Sequence, residues 1–411
     1  MWAKGGVCAV VCGLASGAVH AQVDREFLPQ TMPYPVYRTP ERAHYNLKWG
    51  NLTGRFSLGV QSEFNDNINL SETNPIADIS VGPRFGIGFL YPISKEHVLQ
   101  FDIGMGYRWY LNNPSVSSIN ILPNSVLSHT AYIGDVKLNF HDYLSAVSSP
   151  VEFGPFGRTG NLVDFNRLVN TVGMNFDWQL DKDTALHGGY DYTIDRSLSS
   201  QFTNLDRDDH SFSLGINRRI SPRTTVGLFS GYTMSYYRRD TQNDGTSFTV
   251  GPTWSHILSP FVTLHASAGF TSSEYDNSGT VFDPSNFGGV TFQFGAKHRI
   301  NKHSSQDLRL ARHVGLGFGS NFTDTWSAQY HYNTQFSART VVNTTFAYEY
   351  LEASGFAGER ANRFLWTLSS GWRLTRRWSL GAAYTLAIKD SDAAGGDYVQ
   401  NRLTLDMNYH F

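Results

Sequence analysis

The sequence predicts an all-β fold, a transmembrane antiparallel up-and-down β-barrel of about 18 strands, with 16 as the alternative count. Three observations predict it. Long segments alternate apolar with polar side chains from about residue 55 to the C-terminus, and aromatic residues stand near the ends of these segments. The connections between segments alternate between short turns and longer loops rich in Asp, Asn and Gly.

Residues 1–21 are predicted to be a removable export signal. Lys4 supplies a positive charge, and residues 7–18 form a short apolar run. Val19-His20-Ala21 then offers small residues to a signal peptidase. Cleavage would leave Gln22 as the first mature residue, and the compartment implied by export is the bacterial outer membrane of a Gram-negative cell.

The composition excludes several classes of protein. Of 411 residues, 17% are charged, and the formal net charge is −2, so there is no electrostatic case for a nucleic-acid partner. No run of about 20 apolar residues follows the N-terminal segment, which argues against membrane helices. The two cysteines, Cys8 and Cys12, both lie in the predicted signal. The mature chain is therefore expected to lack thiol chemistry, and no cofactor or metal is predicted.

Residues 22–50 differ in character from the rest of the chain. Pro29, Pro33, Pro35 and Pro40 interrupt a polar stretch without a clear period. Since proline lacks a backbone donor, it disfavours the interior of a strand. We predict an extended segment that lies in the periplasm or plugs the barrel mouth, and we assign residues 51–411 to the barrel.

The alternation is clearest in the last segment. Leu403, Leu405, Met407, Tyr409 and Phe411 alternate there with polar residues. Successive side chains of a strand point to opposite faces, so one face is apolar and the other polar. A soluble sandwich alternates too, but its strands usually have about 5 to 6 residues, whereas tilted spanning strands need about 9 to 11. The segment lengths therefore favour a membrane barrel.

An even number of strands places both chain ends on the periplasmic side, where short turns are expected. The weakest assignments are those between 125 and 146 and between 307 and 325. The predicted strands are 55–64, 78–90, 97–110, 125–133, 135–146, 165–180, 184–197, 209–220, 223–237, 246–258, 261–275, 288–300, 307–319, 325–336, 339–351, 362–374, 377–389 and 397–411.

The polar stripe is predicted to face the lumen, because unpaired or charged groups are costly against lipid. Lys and Arg outnumber Asp and Glu in this stripe, which would favour anionic solutes modestly. The alternative is that opposite charges pair across strands and only solvate the wall. The candidate lumen-lining residues are Arg108, Lys137, Arg167, Asp177, Asp191, Arg223, Lys297, Arg299, Arg339, Glu349, Arg363, Arg373, Arg402 and Asp406.

We predict that the protein is not an enzyme. The histidines are scattered, and no nucleophile elbow or helical metal motif accompanies them. His210 follows Asp208 and Asp209, but this triplet stands at the predicted edge of a loop, where solvated polar residues are expected. The run from Asp240 to Gly245 lacks the downstream Glu of a calcium loop and is typical of a turn.

Two features carry a resemblance to a known family. The first strand ends in Phe64-Asn65-Asp66-Asn67-Ile68, and hairpins such as Ile220-Ser221-Pro222-Arg223 and Leu374-Thr375-Arg376-Arg377 recur. With these features, residues 50–411 resemble the β-barrel porin 2 group, which is similar to outer-membrane barrels of exopolysaccharide gene clusters. The resemblance implies a porin or a polysaccharide-export role, and it carries over no catalytic or binding residues.

Three functions are open at this point. The leading hypothesis is a passive channel for polar solutes or the conduit of a polysaccharide export system. The second is a non-conducting accessory barrel, for which residues 22–50 are the candidate plug, and the third is a barrel-embedded hydrolase. The expected partners are outer-membrane lipids and the barrel-assembly machinery, which would recognise the C-terminal strand that ends in Phe411.

Overall fold

The computed structural model describes residues 47–147, 166–355 and 358–411. The predicted export signal and residues 22–46 of the Pro-rich segment lie outside the described residues. Among those described, no helix is long and apolar enough to cross a membrane. In the described ranges, two short 3₁₀ helices, Pro114–Val116 and Ser200–Leu205, lie between β-strands.

The described chain forms one antiparallel sheet. Its strands are β1 Leu47–Trp49, β2 Leu52–Asn65, β3 Asp78–Pro92, β4 His97–Tyr110, β5 Ser118–Ile133, β6 Val136–Val147, β7 Arg167–Gln179, β8 Thr184–Ser197, β9 Arg207–Ser221, β10 Thr224–Tyr237, β11 Gly245–Ser259, β12 Val262–Tyr275, β13 Phe287–Arg299, β14 Ser304–Leu316, β15 Phe322–Ser337, β16 Thr340–Ala353, β17 Arg360–Arg373, β18 Trp378–Ser391 and β19 Tyr398–His410.

The sheet closes into a barrel of 18 strands, β2 to β19. Each strand pairs with the next one in the chain, and β19 pairs with β2 from His410↔Ser57 to Arg402↔Asn65. Closure joins the first and the last barrel strand, as spanning a bilayer requires. The prediction of an 18-strand barrel is confirmed. The three-residue β1 pairs with the start of β2, where Leu47 faces Gly54.

All eighteen predicted strands are present, with two notable shifts. β5 begins at Ser118, seven residues before the predicted start at 125. Its ladder with β6 shifts register between Ile121 and Ser125, around Pro123, which has no N–H to donate. β14 spans 304–316 rather than 307–319. Ser304 and Ser305, outside the predicted strand, pair with Thr334 and Asn333 of β15.

Short turns share one local device. In each four-residue turn, a side-chain oxygen at the second position accepts backbone N–H groups two and three residues later: Ser94 for 96 and 97, Asp181 for 183 and 184, Asn301 for 303 and 304, and Thr375 for 377 and 378. Ser221, Ser259 and Ser337 accept in the same way before two-residue turns. These polar residues compete locally for the backbone and so end the strands.

The outward face is apolar and ends in aromatic residues. Leu58, Val60 and Phe64 of β2 are all between 44% and 51% exposed, while the residues between them are more enclosed. Exposed rings stand near both rims, with Trp109 and Trp326 at the end of the longer loops and Trp178 and Trp378 at the end of the short turns. Such a band with two aromatic girdles is typical of an outer-membrane barrel.

Candidate functional site

The strand register defines which side chains face the interior. Paired residues share a face, and the exposed pairs Leu58–Phe85 and Phe64–Ile79 mark the outward one. The alternate positions therefore point inward. The inward cations of β2–β19 are Arg55, Arg84, Arg108, Lys137, Arg167, Arg207, Arg219, Lys297, Arg299, Arg309, Arg363, Arg373, Lys389 and Arg402. The inward carboxylates are Glu63, Asp78, Asp102, Asp177, Asp191, Asp195, Asp209, Asp307, Glu349 and Asp406.

Two candidate lumen-lining residues lie in turns instead of the wall. Arg223 belongs to the two-residue turn between β9 and β10, and Arg339 to the one between β15 and β16. Both side chains are exposed at the short-turn rim. The sequence pattern placed each at a strand start, but the hairpins close one residue later because Ser221 and Ser337 bond the backbone N–H of Arg223 and Arg339.

Arg167 faces inward but does not reach open solvent, since its side chain is 0% exposed. Its Nε bonds Asp195 Oδ1 at 2.8 Å, and its Nη2 bonds the carbonyl of Leu205 at 2.9 Å. The 3₁₀ helix Ser200–Leu205 thus folds over it. Arg207 adds a second cation to the same carboxylate, 3.1 Å from Asp195 Oδ2. This candidate is a structural tie under an external loop.

A second group of inward charges joins β2, β3, β4 and β19. Glu63 is 6% exposed, and the cations that stabilise its charge are Arg108, Arg402 and Arg84. Arg84 also pairs with Asp406 at 3.1 Å and bonds Gln61. Glu63 and Arg84 were absent from the sequence-based candidates. Their position between the apolar residues of β2 and β3 is the signal that could have identified them.

Some inward charges lie beneath the β2–β3 loop, residues 66–77. Arg363 pairs with Glu349 at 2.5 Å, and Lys389 with Glu359 at 2.8 Å. Leu70 of this loop is 1% exposed and packs with Ala387 and Tyr398. The loop therefore folds into the mouth, and it narrows the external end although it is short.

The inward charges most open to solvent at the periplasmic end of the strands are cations. Arg219, Lys297, Arg299 and Arg373 are exposed inward residues there, whereas Asp191, the inward carboxylate with a 40% exposed side chain, lies midway along β8. All four stand within three residues of the periplasmic end of their strands. Arg299 lies 5.4 Å over the Phe261 ring and bonds the Pro260 carbonyl. The periplasmic mouth is therefore lined by cations.

Part of the interior far from the Glu63 group is lined by hydroxyls. On β11, β12 and β13, six or seven strands from the nearest strand of that group, Thr249, Thr271 and Thr291 form a chain of hydroxyls at 2.9 and 2.8 Å. Asn217 accepts from Thr253 nearby. The interior thus has charged groups in some places and a run of hydroxyls in another, an arrangement that solvates polar solutes and orients charged ones.

External loops meet in a buried polar cluster. Asp283 accepts from Ser354 Oγ at 2.5 Å and from the backbone N–H of Asn321 at 2.8 Å. Asn243 donates to the Asn321 side chain at 2.8 Å. Burial alone raises the pKa of the Asp283 carboxyl, but these hydrogen bonds outweigh it and hold the pKa below its ordinary value. Four loops are tied together here, and the tie needs the ionised carboxylate.

No catalytic or metal arrangement is visible in the described ranges. His141 bonds Asp191 at 2.8 Å through Nε2, but its Nδ1 has no hydrogen-bond partner there, so no hydroxyl is activated by this pair. His210 faces outward and bonds Tyr190 Oη at 2.9 Å. No cluster of three His, Cys, Asp or Glu that could hold a metal occurs among the described residues.

The closed ring, the apolar outer band and the polar interior define a class, the outer-membrane β-barrels of porin size. Solved structures agree with this fold. The chain is similar to Pseudomonas aeruginosa OccK2 (OpdF), crystallised in complex with glucuronate, with a TM-score of 0.51 and 12% identity over 87% of this chain and 98% of that one. It is also similar to the P. aeruginosa outer membrane protein opdK, with a TM-score of 0.50 and 13% identity over 87% and 99%.

A third structure of the same kind is P. aeruginosa OccK9 (OpdG), with a TM-score of 0.50 and 13% identity over 87% of this chain and 98% of that one. These likenesses support the fold and, with the outer band, the predicted place in the bacterial outer membrane. No protein-family model matches the chain. No curated protein matches it either. The resemblance to the β-barrel porin 2 group therefore stays a prediction.

Proposed function

We propose that this protein is a passive channel that lets small polar solutes cross the outer membrane, with a preference for anions. The observation that carries the proposal is that the exposed inward charges at the periplasmic mouth are cations. In a water-filled passage such residues raise the local concentration of anions and lower that of cations. Buried pairs such as Arg167–Asp195 contribute little to this preference, because their charges are already compensated.

A small organic acid is the proposed solute class. OccK2 was crystallised with glucuronate, a sugar acid whose hydroxyls and carboxylate need both donors and cations. The interior of this chain offers the Thr249–Thr271–Thr291 hydroxyls in one place and arginines in others. A sugar acid could replace the hydrogen bonds to its hydration water with bonds to both sets of side chains as it passes.

Planar-bilayer recording of the purified mature protein tests the channel. We expect steady current steps and, under a salt gradient, a reversal potential of the sign that anion preference gives. A silent barrel would contradict conduction, and a cation-selective current would contradict the proposed solute class. Deleting residues 22–46 and repeating the recording tests whether that segment plugs the mouth, since a plug predicts larger current steps after its removal.

The other functions have a weaker basis. No contact in the described residues favours polysaccharide export, an accessory barrel or a hydrolase over a channel. These alternatives, like the absence of enzymatic activity, stay predictions. A deletion strain distinguishes solute uptake from export. Slower growth on sugar acids as sole carbon source would favour uptake, and a loss of exported polysaccharide would favour export.

A further inference from the structure

The wall between β13 and β14 lacks a ladder toward the external side, below the point where Asn321 joins the two adjoining loops through its bonds to Asp283 and Ser285. These strands pair over eight residues, ending at Phe292↔Arg312. However, β13 stays paired with β12 as far as Phe287, and β14 with β15 as far as Leu316. In the described chain, residues 287–291 and 313–316 therefore run on without a ladder between them. We call this place the β13–β14 opening.

A charged side chain spans the inner end of the opening. Arg312 faces outward, opposite Phe292 and Trp326. Its Nη2 pairs with Asp324 Oδ2 at 2.7 Å, and its Nη1 donates to the Val290 carbonyl at 3.1 Å across the opening. A guanidinium on the lipid side of a barrel is destabilising unless it is compensated. Here it holds the point at which the two strands part.

Aromatic rings fill the opening itself. The Phe287 ring packs edge-on against Phe322 with centroids 5.5 Å apart, and it lies 5.6 Å from the Arg312 guanidinium. Phe322 in turn stacks on Tyr275 at 6.1 Å. Phe287 and Tyr275 belong to the inward stripe, since Phe287 pairs with Ser273 and Tyr275 with Gly245. The opening is therefore closed by side chains rather than by backbone hydrogen bonds.

A gap closed by side chains is easier to open than a part of the wall closed by a backbone ladder. To separate two strands joined by a ladder, several backbone hydrogen bonds must break, and lipid offers no groups to replace them. Rotation of Phe287 needs no such loss. The outward edge is apolar, with Val290 53% exposed beside Phe270 at 56%. Gly288 and Gly315 add no side chains to the edges, and a methyl group at either would meet nothing within 4 Å.

We propose that the β13–β14 opening is a lateral route through which the alkyl chain of an amphipathic anion passes between the barrel interior and the outer leaflet. Apolar edges and aromatic rings suit the chain, and a carboxylate head that has entered the interior would be attracted by the exposed cations at the periplasmic mouth. A medium-chain fatty acid has this chemistry. The route goes beyond the proposed channel and rests on it only in that the interior must be accessible.

Disulfide trapping tests the opening directly. The mature chain is expected to be free of cysteine, so introduced pairs report alone. Val290→Cys with Val314→Cys probes the opening, and Phe294→Cys with Leu310→Cys is the matched control, a directly paired, lipid-facing position on the same strands. A disulfide needs Cα atoms within about 7 Å. We expect oxidation to close the control and leave the first pair reduced, whereas equal closure of both would overturn the opening.

Transport of dodecanoate tests the route. A bifunctional thiol reagent with a spacer should tether Val290→Cys to Val314→Cys in cells that produce the protein. We expect the tether to lower radiolabelled dodecanoate uptake several-fold while single-channel current stays unchanged. Phe287→Ala should raise uptake, and Phe336→Ala, an equally large ring at the periplasmic rim, should not.

The outcomes separate the two proposals. Dodecanoate uptake that ignores the tether, or that does not exceed uptake in cells without the protein, overturns the lateral route. Loss of current in the untethered protein with tether-sensitive uptake would instead contradict the proposed channel and leave the lateral route supported.

Discussion

At the residue scale, the inward charges divide by exposure. Arg167, Lys389 and Arg363 are buried and paired with carboxylates, and they hold strands to loops. Lys297 and Arg373 are exposed and stand at the periplasmic mouth. A buried pair is costly to break because the remaining charge is left without compensation, whereas an exposed cation acts mainly through its field. The two groups should therefore respond differently to substitution.

Removing the Arg167 side chain tests the buried group. Arg167→Ala would leave Asp195, 1% exposed, with less compensation and would free the carbonyls of the 3₁₀ helix. We expect the free energy of unfolding to fall by about 3–5 kcal/mol, measured by urea titration in lipid vesicles. Arg360→Ala, which breaks the exposed pair with Glu352, is the control and should change little. Equal losses would contradict a structural role for Arg167.

Neutralising the exposed group tests selectivity. The triple substitution Lys297→Ala, Arg299→Ala and Arg373→Ala removes three cations without breaking a buried ion pair. We expect the anion-to-cation permeability ratio from reversal potentials to fall toward unity or below it, with stability almost unchanged. The control variant Arg238→Ala removes one cation on the external rim and should leave the permeability ratio near its original value. An unaltered ratio in the triple variant would remove the basis of the proposed anion preference.

At the element scale, turns and loops have different roles. The short turns are local devices, in which one hydroxyl, carboxylate or amide oxygen bonds the next backbone N–H groups. The external loops depend on distant partners instead: Asp283 joins residues from the β14–β15 and β16–β17 connections. Short turns should therefore tolerate changes elsewhere in the barrel, and the external loops should loosen together.

Acid should loosen the external loops through Asp283. Its pKa is lower in the folded protein, so its ionised form contributes stability that is complete above about pH 4, the unfolded value, and is lost as the pH falls through the folded pKa. The pKa of Asp244 is raised by burial and by the charges of Asp276 and Asp240. Its titration therefore changes the stability in the opposite direction as the pH falls. We expect hydrogen exchange at 317–321 to quicken relative to β12 below this pH.

Asp283→Asn separates the two carboxylates. It should show fast exchange at 317–321 already at neutral pH and no further acid dependence from this site, because its amide cannot accept the same charged hydrogen bonds. Acid-induced loosening that persists unchanged in this variant would assign the effect to Asp244 or another group.

At the scale of the whole molecule, closure depends on the last strand. β19 joins β2, and the Phe411 backbone N–H donates to the Phe56 carbonyl at 3.3 Å. The Phe411 ring packs edge-on against the Tyr409 ring, with centroids 4.9 Å apart. β1 pairs with the first residues of β2, beyond the end of this contact. The two ends of the barrel chain therefore meet at the periplasmic rim.

Deleting Phe411 tests its predicted role in assembly. We expect less folded barrel in the outer membrane, seen as loss of the heat-modifiable band on gels, because the machinery is predicted to recognise the terminal aromatic strand. Folding of the purified chain into detergent should change little, since one exposed ring and one hydrogen bond are lost. Phe336→Ala, another exposed ring at the same rim, should assemble normally. Normal assembly without Phe411 would contradict recognition of the terminal residue.

Local patterns in the sequence were sufficient to predict the fold class and the strand number. Period-2 alternation is local, and so are the polar residues that end each strand, such as Asp181 and Thr375. Closure then follows because lipid tolerates no unpaired strand edge. The strand limits were least accurate where Pro123 interrupts a ladder, since a bulge depends on the neighbouring strand.

Which charges are exposed, and where side chains close the wall, depends on how distant parts of the chain pack together. Alternation placed Arg167 and Arg373 on the same face, but the 3₁₀ helix Ser200–Leu205 buries one and leaves the other open. The β13–β14 opening has no sequence signal, because each strand alternates normally and is fully paired with its other neighbour. Exposure and pairing depend on residues distant in the chain, and no local pattern records them.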